Sequence, residues 1–144
     1  MRLLREGVNL GVQHGAWGES VAAEHLRRAG LEIVARNTRP VERDERLEID
    51  IVAWDPARDE MVFVEVKQHA DFTPYARRLR SVTRRKKQNL RRACNAWRRV
   101  NKWRGACRFD VIEVYGVPEG GAPVVDHIAN VALFARPERF VDWS

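Results

Sequence analysis

Residues 47–67 read LEIDIVAWDPARDEMVFVEVK, two short apolar runs on either side of a turn. The runs are Leu47–Trp54 and Met61–Lys67, and the connection between them contains Asp55 and Pro56, both of which favour turns. Two strand-length apolar runs joined in this way predict an antiparallel β-hairpin. The hairpin decides the fold, because it supplies two neighbouring strands around which the rest of the chain is arranged.

The acidic residues of the hairpin fall among apolar side chains. Successive side chains of a strand point to opposite faces. Asp50 is therefore predicted to share a face with Trp54, and Glu65 to share a face with Phe63 and Lys67. The opposite face of the first strand is predicted to carry Leu47, Ile49, Ile51 and Ala53.

The register of the hairpin follows if Pro56–Asp59 form a four-residue loop and Asp55 pairs with Glu60. Every cross-strand pair then has the same sum of residue numbers, which places Asp50 opposite Glu65. Opposite residues have Cβ atoms roughly 4.5–5.5 Å apart, and two like charges at that distance are destabilising. A divalent cation removes this conflict, and Mg²⁺ prefers carboxylate oxygens together with water.

The same register places Glu48 opposite Lys67, which leaves two interpretations open. In one, the sheet face is exposed and these two residues form a cross-strand ion pair. In the other, Asp50, Glu65 and Lys67 lie together on one face among apolar residues and form a functional site.

The whole chain has 144 residues and no linker, which predicts one domain over residues 1–144. No apolar run approaches the ~18 residues of a membrane span, and the N-terminus lacks a signal-peptide pattern. We therefore expect a cytoplasmic protein with no membrane partner. Cys94 and Cys107 have no metal-ligand spacing and no disulfide-rich context, so we expect both to be reduced and structural.

The distribution of basic residues predicts an anionic partner. The net charge is +6, and 13 of the 26 Lys and Arg residues lie between Arg77 and Arg104, a segment without Asp or Glu. A solvated helix face mixes charges of both signs, since like charges one turn apart repel. We expect this segment to contact nucleic-acid phosphates, with Arg84, Lys87 and Arg91 as candidate contacts.

Hydrophobic periodicity predicts five elements outside the hairpin. They are helices over His14–Ala29 and Thr83–Trp103, and strands over Leu31–Arg36, Arg108–Tyr115 and Val124–Ile128. Gly30 is the predicted C-cap of the first helix, on whose buried side Glu19 falls. The apolar stripe of that helix consists of Ala16, Ala22, Ala23 and Leu26. The order α-β-β-β-α-β-β predicts an α/β fold with a central mixed sheet flanked by helices.

An acid in the first helix, an Asp in one strand and Glu-x-Lys in the next, followed by a helix, is the arrangement of the PD-(D/E)xK nuclease superfamily. More closely, the chain resembles the YraN family of small bacterial endonuclease-like proteins, which is similar to the Holliday-junction resolvases. The residues that carry the resemblance are Gly18-Glu19, Ala22, Leu26, Gly30, Asn37, Glu48-Ile49-Asp50, Phe63-Val64-Glu65-Val66-Lys67, Lys86 and Arg108-Phe109-Asp110-Val111.

The resemblance implies a restriction-endonuclease-like layered fold and a metal-dependent DNA endonuclease. It implies that Asp50, Glu65 and the backbone carbonyl of Val66 hold Mg²⁺ or Mn²⁺, and that Glu19 joins them directly or through water. Lys67 is expected to stabilise the charge that develops at the phosphate.

Lys86 has two interpretations, because it lies one turn before Leu90 on the edge of the core stripe. It either contacts the scissile phosphate or extends along the edge of the core.

The family pattern has three departures in this chain, none of which removes an expected metal ligand. Leu47 stands where the family has Gly, Ile49 stands where the superfamily name implies Pro, and Gln68-His69 replace a polar-Arg pair. These departures affect loop geometry and substrate contacts.

The expected function is therefore cleavage of branched or structured DNA in recombination or repair. The alternative is a non-catalytic nucleic-acid-binding accessory module with a vestigial nuclease site. An RNA-processing nuclease is also compatible, because no residue identifies a 2′-hydroxyl sensor. The resolvase resemblance implies a homodimer that cuts two strands symmetrically.

Overall fold

The structure, a computed structural model of the chain, describes residues 10–71 and 84–134. Its elements are α1 (Leu10–Arg28), β1 (Glu32–Thr38), β2 (Ile49–Asp55), β3 (Glu60–His69), α2 (Arg84–Val100), β4 (Ala106–Tyr115) and β5 (Val124–Ile128). Their order is the predicted α-β-β-β-α-β-β.

The five strands form one mixed sheet in the order β1-β2-β3-β4-β5. Three neighbouring pairs are antiparallel, and β3 and β4 are parallel, because α2 provides the crossover that parallel strands require. The predicted hairpin register is confirmed from Ile51, which pairs with Val64, to Asp55, which pairs with Glu60.

The two helices cover opposite faces of the sheet. On the α1 face, Ala22 and Leu26 pack against Ile51 and Val62 in one core cluster. The cluster on the α2 face contains Val52, Phe63, Leu90, Cys94 and Trp97, and the Phe63 and Trp97 rings are 5.6 Å apart in an edge-to-face contact. Trp97 is thus a core residue. The α/β layered fold with a mixed sheet is confirmed.

Both helices end in a left-handed residue followed by a Schellman-type pair of hydrogen bonds. Gly30 has φ 94°, and the N–H of Leu31 donates to the Leu26 carbonyl at 2.9 Å, so the predicted C-cap is confirmed. α2 ends in the same way, with φ 54° at Lys102 and a 2.8 Å bond from Trp103 to Arg98. Neither helix in the described residues combines the length and apolarity needed to cross a membrane.

Several predicted boundaries and faces differ from the structure. α1 begins four residues before His14, and α2 ends at Val100 and not Trp103. Thr83, the predicted first residue of the second helix, lies outside the described residues. Ala16 is exposed, so it does not belong to the buried stripe of α1.

Leu47 and Ile49 pack in the core cluster on the α2 face, whereas Ile51 packs on the α1 face. The prediction that they share one face is wrong. Leu47 is still part of a turn, in which its N–H donates to the Asp44 carbonyl at 3.0 Å, so regular strand alternation does not extend to it.

Candidate active site

Glu65 lies in a row of core side chains on the α2 face of β3. Met61 and Phe63 precede it at alternate positions and belong to the core cluster there, and Glu65 itself is only 8% exposed. An ionised carboxylate in such a place needs a compensating charge or a cation. Lys67, the next residue of the row, is half-buried.

Asp50 lies on β2 beside Glu65. Its Oδ2 accepts a 2.8 Å hydrogen bond from the backbone N–H of Val66, which orients the carboxylate against β3. Burial and the neighbouring charge of Glu65 raise the pKa of Asp50 to about 7, while the Val66 N–H acts in the opposite direction. The structure thus brings together the two carboxylates that the register predicts to be neighbours.

Glu19 acts on the same carboxylates from α1. Burial raises the pKa of Glu19, while a hydrogen bond with Asn37 and the charge of Arg36, 3.9 Å away, act in the opposite direction. The charge of Glu19 also contributes to the raised pKa of Asp50. The fold therefore sets three acids from two strands and one helix within electrostatic reach of one another.

Gly18 allows α1 to approach the end of β3 closely enough for this. A Cβ at this buried position would lie 2.9 Å from Cγ and 3.0 Å from Cβ of Gln68. Gln68 is held in place, because its Nε2 donates to the carbonyl of Gly116 at 2.5 Å. A side chain at Gly18 would thus force Gln68 or the turn of α1 that carries Glu19 to shift.

Two lysines lie beside Glu65. Lys86 of α2 forms an ion pair with it, with Nζ 2.9 Å from Oε2. Burial lowers the pKa of Lys86, but the charge of Glu65, hydrogen bonds with Glu65 and Lys67, and the charge of Asp50 together raise the pKa above its ordinary value. Burial and the neighbouring Lys86 lower the pKa of Lys67. The two ammonium groups therefore have different environments although they are neighbours.

Glu48 does not form the predicted pair with Lys67. Its Oε1 lies 3.9 Å from Arg39, and Lys67 has Lys86 and Glu65 among its neighbours instead. The charge of Glu48 acts on Asp50. The exposed sheet face with a cross-strand ion pair is therefore not the arrangement found.

A surface cleft of about 450 Å³ includes both carboxylates in its lining. Its charged lining residues are Glu45, Arg46, Glu48, Asp50, Glu65, Arg85 and Lys86. Acidic groups of the strands and the preceding turn thus face basic groups of α2 across an open cleft. Such a cleft can hold a cation and a phosphate side by side.

The donor set fits a largely hydrated Mg²⁺ or Mn²⁺. Within the described residues, no three acidic, His or Cys side chains are already grouped as the ligands of one ion. Mg²⁺ is commonly held by one or two carboxylates and keeps several of its waters. Asp50 and Glu65 supply that number, and a cation between them relieves the repulsion that burial intensifies.

The three other predicted phosphate contacts lie outside this cleft. Arg84, Lys87 and Arg91 line a separate cleft of about 440 Å³ on α2. The Nε of Arg91 donates a 2.8 Å hydrogen bond to the carbonyl of Leu133, so part of this side chain links α2 to the segment that follows β5. Lys86 is the one of the four predicted basic contacts that reaches the carboxylates.

A second charged cluster, which the sequence pattern does not reveal, lies on the α1 face of the sheet. It consists of His25, Asp55, Glu60, Arg108, Asp110 and His127. Arg108 and Asp110 alternate with apolar residues in β4, the same signal that singled out Asp50. Their partners come from α1, β2, β3 and β5, which are distant in sequence, so spacing could not reveal them.

Arg108 and Asp110 form the centre of this cluster, which we call the polar latch. Arg108 donates to Asp110, Asp55 and Glu60 at 3.0, 3.0 and 2.8 Å. Asp110 is fully buried and contacts Nε2 of His127 at 2.8 Å. The latch therefore ties together strands β2, β3, β4 and β5.

Residues 18–114 match the sequence profile of a family described as Uncharacterised protein family UPF0102. The chain belongs to the UPF0102 family. This is the YraN family that the motifs resemble, so the resemblance is confirmed. The region that matches the UPF0102 profile contains Glu19, Asp50, Glu65, Lys67 and Lys86.

UPF0102 proteins from three organisms are similar to this chain over most of its length. Identity is 37% over 122 residues with the protein of Mycobacterium avium, 38% over 119 with that of Nocardia farcinica, and 36% over 124 with that of Mycobacterium tuberculosis. These alignments cover 83%, 81% and 83% of this chain and 90%, 87% and 92% of the relatives. The profile match over residues 18–114 by itself includes β2, β3, α2 and the part of α1 that carries Glu19.

Proposed function

We propose that this protein is a metal-dependent endonuclease that hydrolyses phosphodiester bonds in DNA, with branched or structured DNA of recombination or repair as its substrate. The observation that carries the proposal is the juxtaposition of two carboxylates, the half-buried Asp50 and the buried Glu65, which line an open cleft with Lys86 and have Lys67 as a neighbour. Membership of UPF0102 alone assigns no reaction.

In this proposal, Asp50 and Glu65 hold Mg²⁺ or Mn²⁺, with Glu19 and the carbonyl of Val66 as further ligands. When bound, the cation lowers the pKa of a coordinated water and offsets charge on the phosphate. The Val66 N–H keeps Asp50 oriented toward β3. Lys67 presents a half-buried ammonium beside Glu65, where it can stabilise charge that develops on the phosphate.

The basic residues of α2 support a nucleic-acid substrate. Ten of the 26 Lys and Arg residues fall between Arg84 and Arg104. A further basic cleft of about 470 Å³ lies at the end of α2, and its basic lining residues, here called the distal basic patch, are Arg98, Arg99, Lys102 and Arg104. In the described residues, these four side chains form no ion pair with an acid, which leaves their charges available for phosphates.

A nicking assay on supercoiled DNA and on a four-way junction tests the proposal. With Mg²⁺ or Mn²⁺, the wild type is expected to nick DNA. Asp50→Ala and Lys67→Ala are expected to lower the nicking rate at least about 100-fold, because each removes a group that acts in the transition state. DNA binding, measured with EDTA present, is expected to stay within about twofold of the wild-type affinity, since the basic residues of α2 supply the affinity.

Glu24→Ala is the matched control, since Glu24 is an exposed acid of α1 that pairs only with Arg27 and Arg28 among the described residues. This variant is expected to nick DNA like the wild type. Equal nicking by the wild type, Asp50→Ala and Lys67→Ala would point to a contaminating nuclease. Tight DNA binding without metal-dependent nicking on any substrate would favour the accessory module, and selective nicking of RNA would overturn DNA as the substrate.

A further inference from the structure

Lys86 occupies the position of a counter-ion at the candidate site. Its Nζ lies 2.9 Å from Oε2 of Glu65, the distance of a charge-assisted hydrogen bond. The Glu65 side chain is 11% exposed, whereas that of Lys86 is 42% exposed. The lysine thus reaches from the solvent side toward a carboxylate that is nearly buried.

The charges around Glu65 explain why a cation is needed there. Asp50 is adjacent, and Glu19 and Glu48 also act on Asp50. Glu48 and Glu19 each have an arginine at 3.9 Å, Arg39 and Arg36 respectively. Glu65 has the direct ion pair with Lys86, and among the described residues this ammonium is the one in ion-pair contact with the central carboxylate.

Lys86 can leave this position more readily than Lys67 can. Lys67 projects from β3 itself, which is held at this position by its pairing with β4, where Lys67 lies opposite Glu113. Lys86 lies in the first turn of α2, and its long stem can turn its ammonium toward solvent without moving the helix. Its departure would also relieve the repulsion between the two neighbouring ammonium groups.

We propose that Lys86 is a resident counter-ion of Glu65 that a divalent cation displaces, and that the released ammonium then becomes a phosphate contact. The inference rests on the proposed function, because it takes the Asp50–Glu65 pair as the cation site. It also reconciles the two sequence-based interpretations of Lys86, since the side chain lies along the core edge without metal and faces substrate with metal.

Mn²⁺ binding by titration calorimetry tests the displacement. At pH 8.5, Lys86→Gln is expected to bind Mn²⁺ about three- to tenfold more tightly than the wild type, because the metal no longer competes with an ion pair. Arg85→Gln is the matched control, since Arg85 is the preceding residue of α2 and lines the same cleft. Arg85→Gln removes one charge from the cleft but keeps the Lys86–Glu65 contact. We expect it to change the affinity for Mn²⁺ less than twofold.

A second readout follows the ammonium itself and does not depend on activity. In ¹⁵N-lysine-labelled protein, the Nζ signal assigned by its loss in Lys86→Gln is expected to shift on Mg²⁺ addition and to lose its protection from solvent exchange. In a DNA-binding assay, Lys86→Gln is expected to lower affinity about threefold with Ca²⁺ present and not with EDTA, as one phosphate contact is lost.

The outcomes separate the inference from the proposed function. If the wild type, Lys86→Gln and Arg85→Gln all fail to bind Mn²⁺, the metal site and the proposed function fail together. If the wild type binds Mn²⁺ but Lys86→Gln binds it equally or more weakly, the displacement is wrong and the metal site stands. A Lys86 Nζ signal that keeps its protection at saturating Mg²⁺ would also overturn the displacement.

Discussion

Asp50 carries a charge that the fold disfavours. Its pKa is raised from 3.8 to about 7, first by burial and then by Glu65, so the native state prefers the protonated carboxyl. A carboxyl whose pKa is raised on folding lowers the stability of the native state when it is ionised. The whole of this effect is present above pH 7, and it declines as the pH falls from 7 toward 3.8. Destabilising charges of this kind are typical of sites retained for function.

We predict that Asp50→Asn stabilises the protein at high pH. The amide oxygen can still accept the Val66 N–H, while the buried negative charge is removed. Urea unfolding is expected to show a gain on the order of 2 kcal/mol at pH 8.5 that shrinks steadily toward pH 4.

Asp44→Asn provides the contrast for this measurement. The pKa of Asp44 is lowered to about 2, mainly by its hydrogen bond with Arg46, so its ionised form is the favourable one. No gain in stability is expected from Asp44→Asn. The placement of Asp50 beside Glu65 would be contradicted if Asp50→Asn changed the free energy of unfolding by the same amount at pH 5 and at pH 8.5.

At the scale of elements, Gly18 marks the closest described approach of a glycine of α1 to the end of β3. We predict that Gly18→Ala lowers the unfolding free energy by about 1–2 kcal/mol, because the added methyl overlaps Gln68, which Gly116 holds. Nicking is also expected to decrease, since Gln68 or the turn that carries Glu19 must shift. Gly15→Ala is the control: no atom lies within 4 Å of a Cβ at Gly15, so the substitution is expected to stabilise α1 by about 0.5–1 kcal/mol.

The polar latch extends to α1 through two histidines. Nε2 of His25 lies 3.1 Å from Nδ1 of His127, whose Nε2 contacts Asp110. Burial and the nearby His127 lower the pKa of His25. Below about pH 6.5, the unfolded chain therefore binds a proton at His25 that the native state binds less readily. As a result, the free energy of unfolding decreases as the pH is lowered.

We predict that His25→Gln reduces the loss of stability between pH 7 and pH 5. Glutamine does not titrate, and its amide can still donate to His127 Nδ1. Thermal unfolding at several pH values measures the effect, with Glu24→Gln, one residue away on the exposed face of α1, as a control that leaves the slope unchanged. If the unfolding temperature of His25→Gln depends on pH as steeply as that of the wild type, His25 is ruled out as the titrating contact.

At the scale of the whole molecule, basic residues follow the length of α2 away from the cleft that Asp50 and Glu65 line. Thirteen residues separate Lys86 from Arg99, which at 1.5 Å per residue places the distal basic patch about 20 Å away. A duplex rises about 3.4 Å per base pair, so about six base pairs connect the two ends. A substrate that contacts both must therefore be longer than this.

We predict that Arg99→Gln with Lys102→Gln lowers the affinity for a 20-base-pair duplex about tenfold and makes the log K against log salt slope about 2 units less steep. Affinity for a hairpin with a four-base-pair stem is expected to change less than twofold. Arg27→Gln with Arg28→Gln removes the same charge from α1, on the opposite face of the sheet, and serves as the control. Equal losses of affinity for the duplex and the hairpin would mean that the substrate does not run along α2 between these two ends.

A homodimer stays a proposal that sedimentation of the purified chain tests.

The features that the sequence predicted well are those with a local physical cause. Alternation and a four-residue loop determine the register from Ile51 to Asp55, and with it the proximity of Asp50 to Glu65. Gly30 ends α1 because its positive φ is permitted at little cost. The order of the elements and the need for a crossover determined the mixed sheet and the layered fold.

Only the tertiary structure decided which distant charges meet. Glu48 pairs with Arg39 and not Lys67, because the chain before β2 is a turn to which strand alternation does not apply. Lys86 reaches Glu65 because α2 packs against that face of the sheet, and Arg108 finds acids from two other strands. A side-chain contact depends on how elements pack in three dimensions, and periodicity along one element carries no information about that packing.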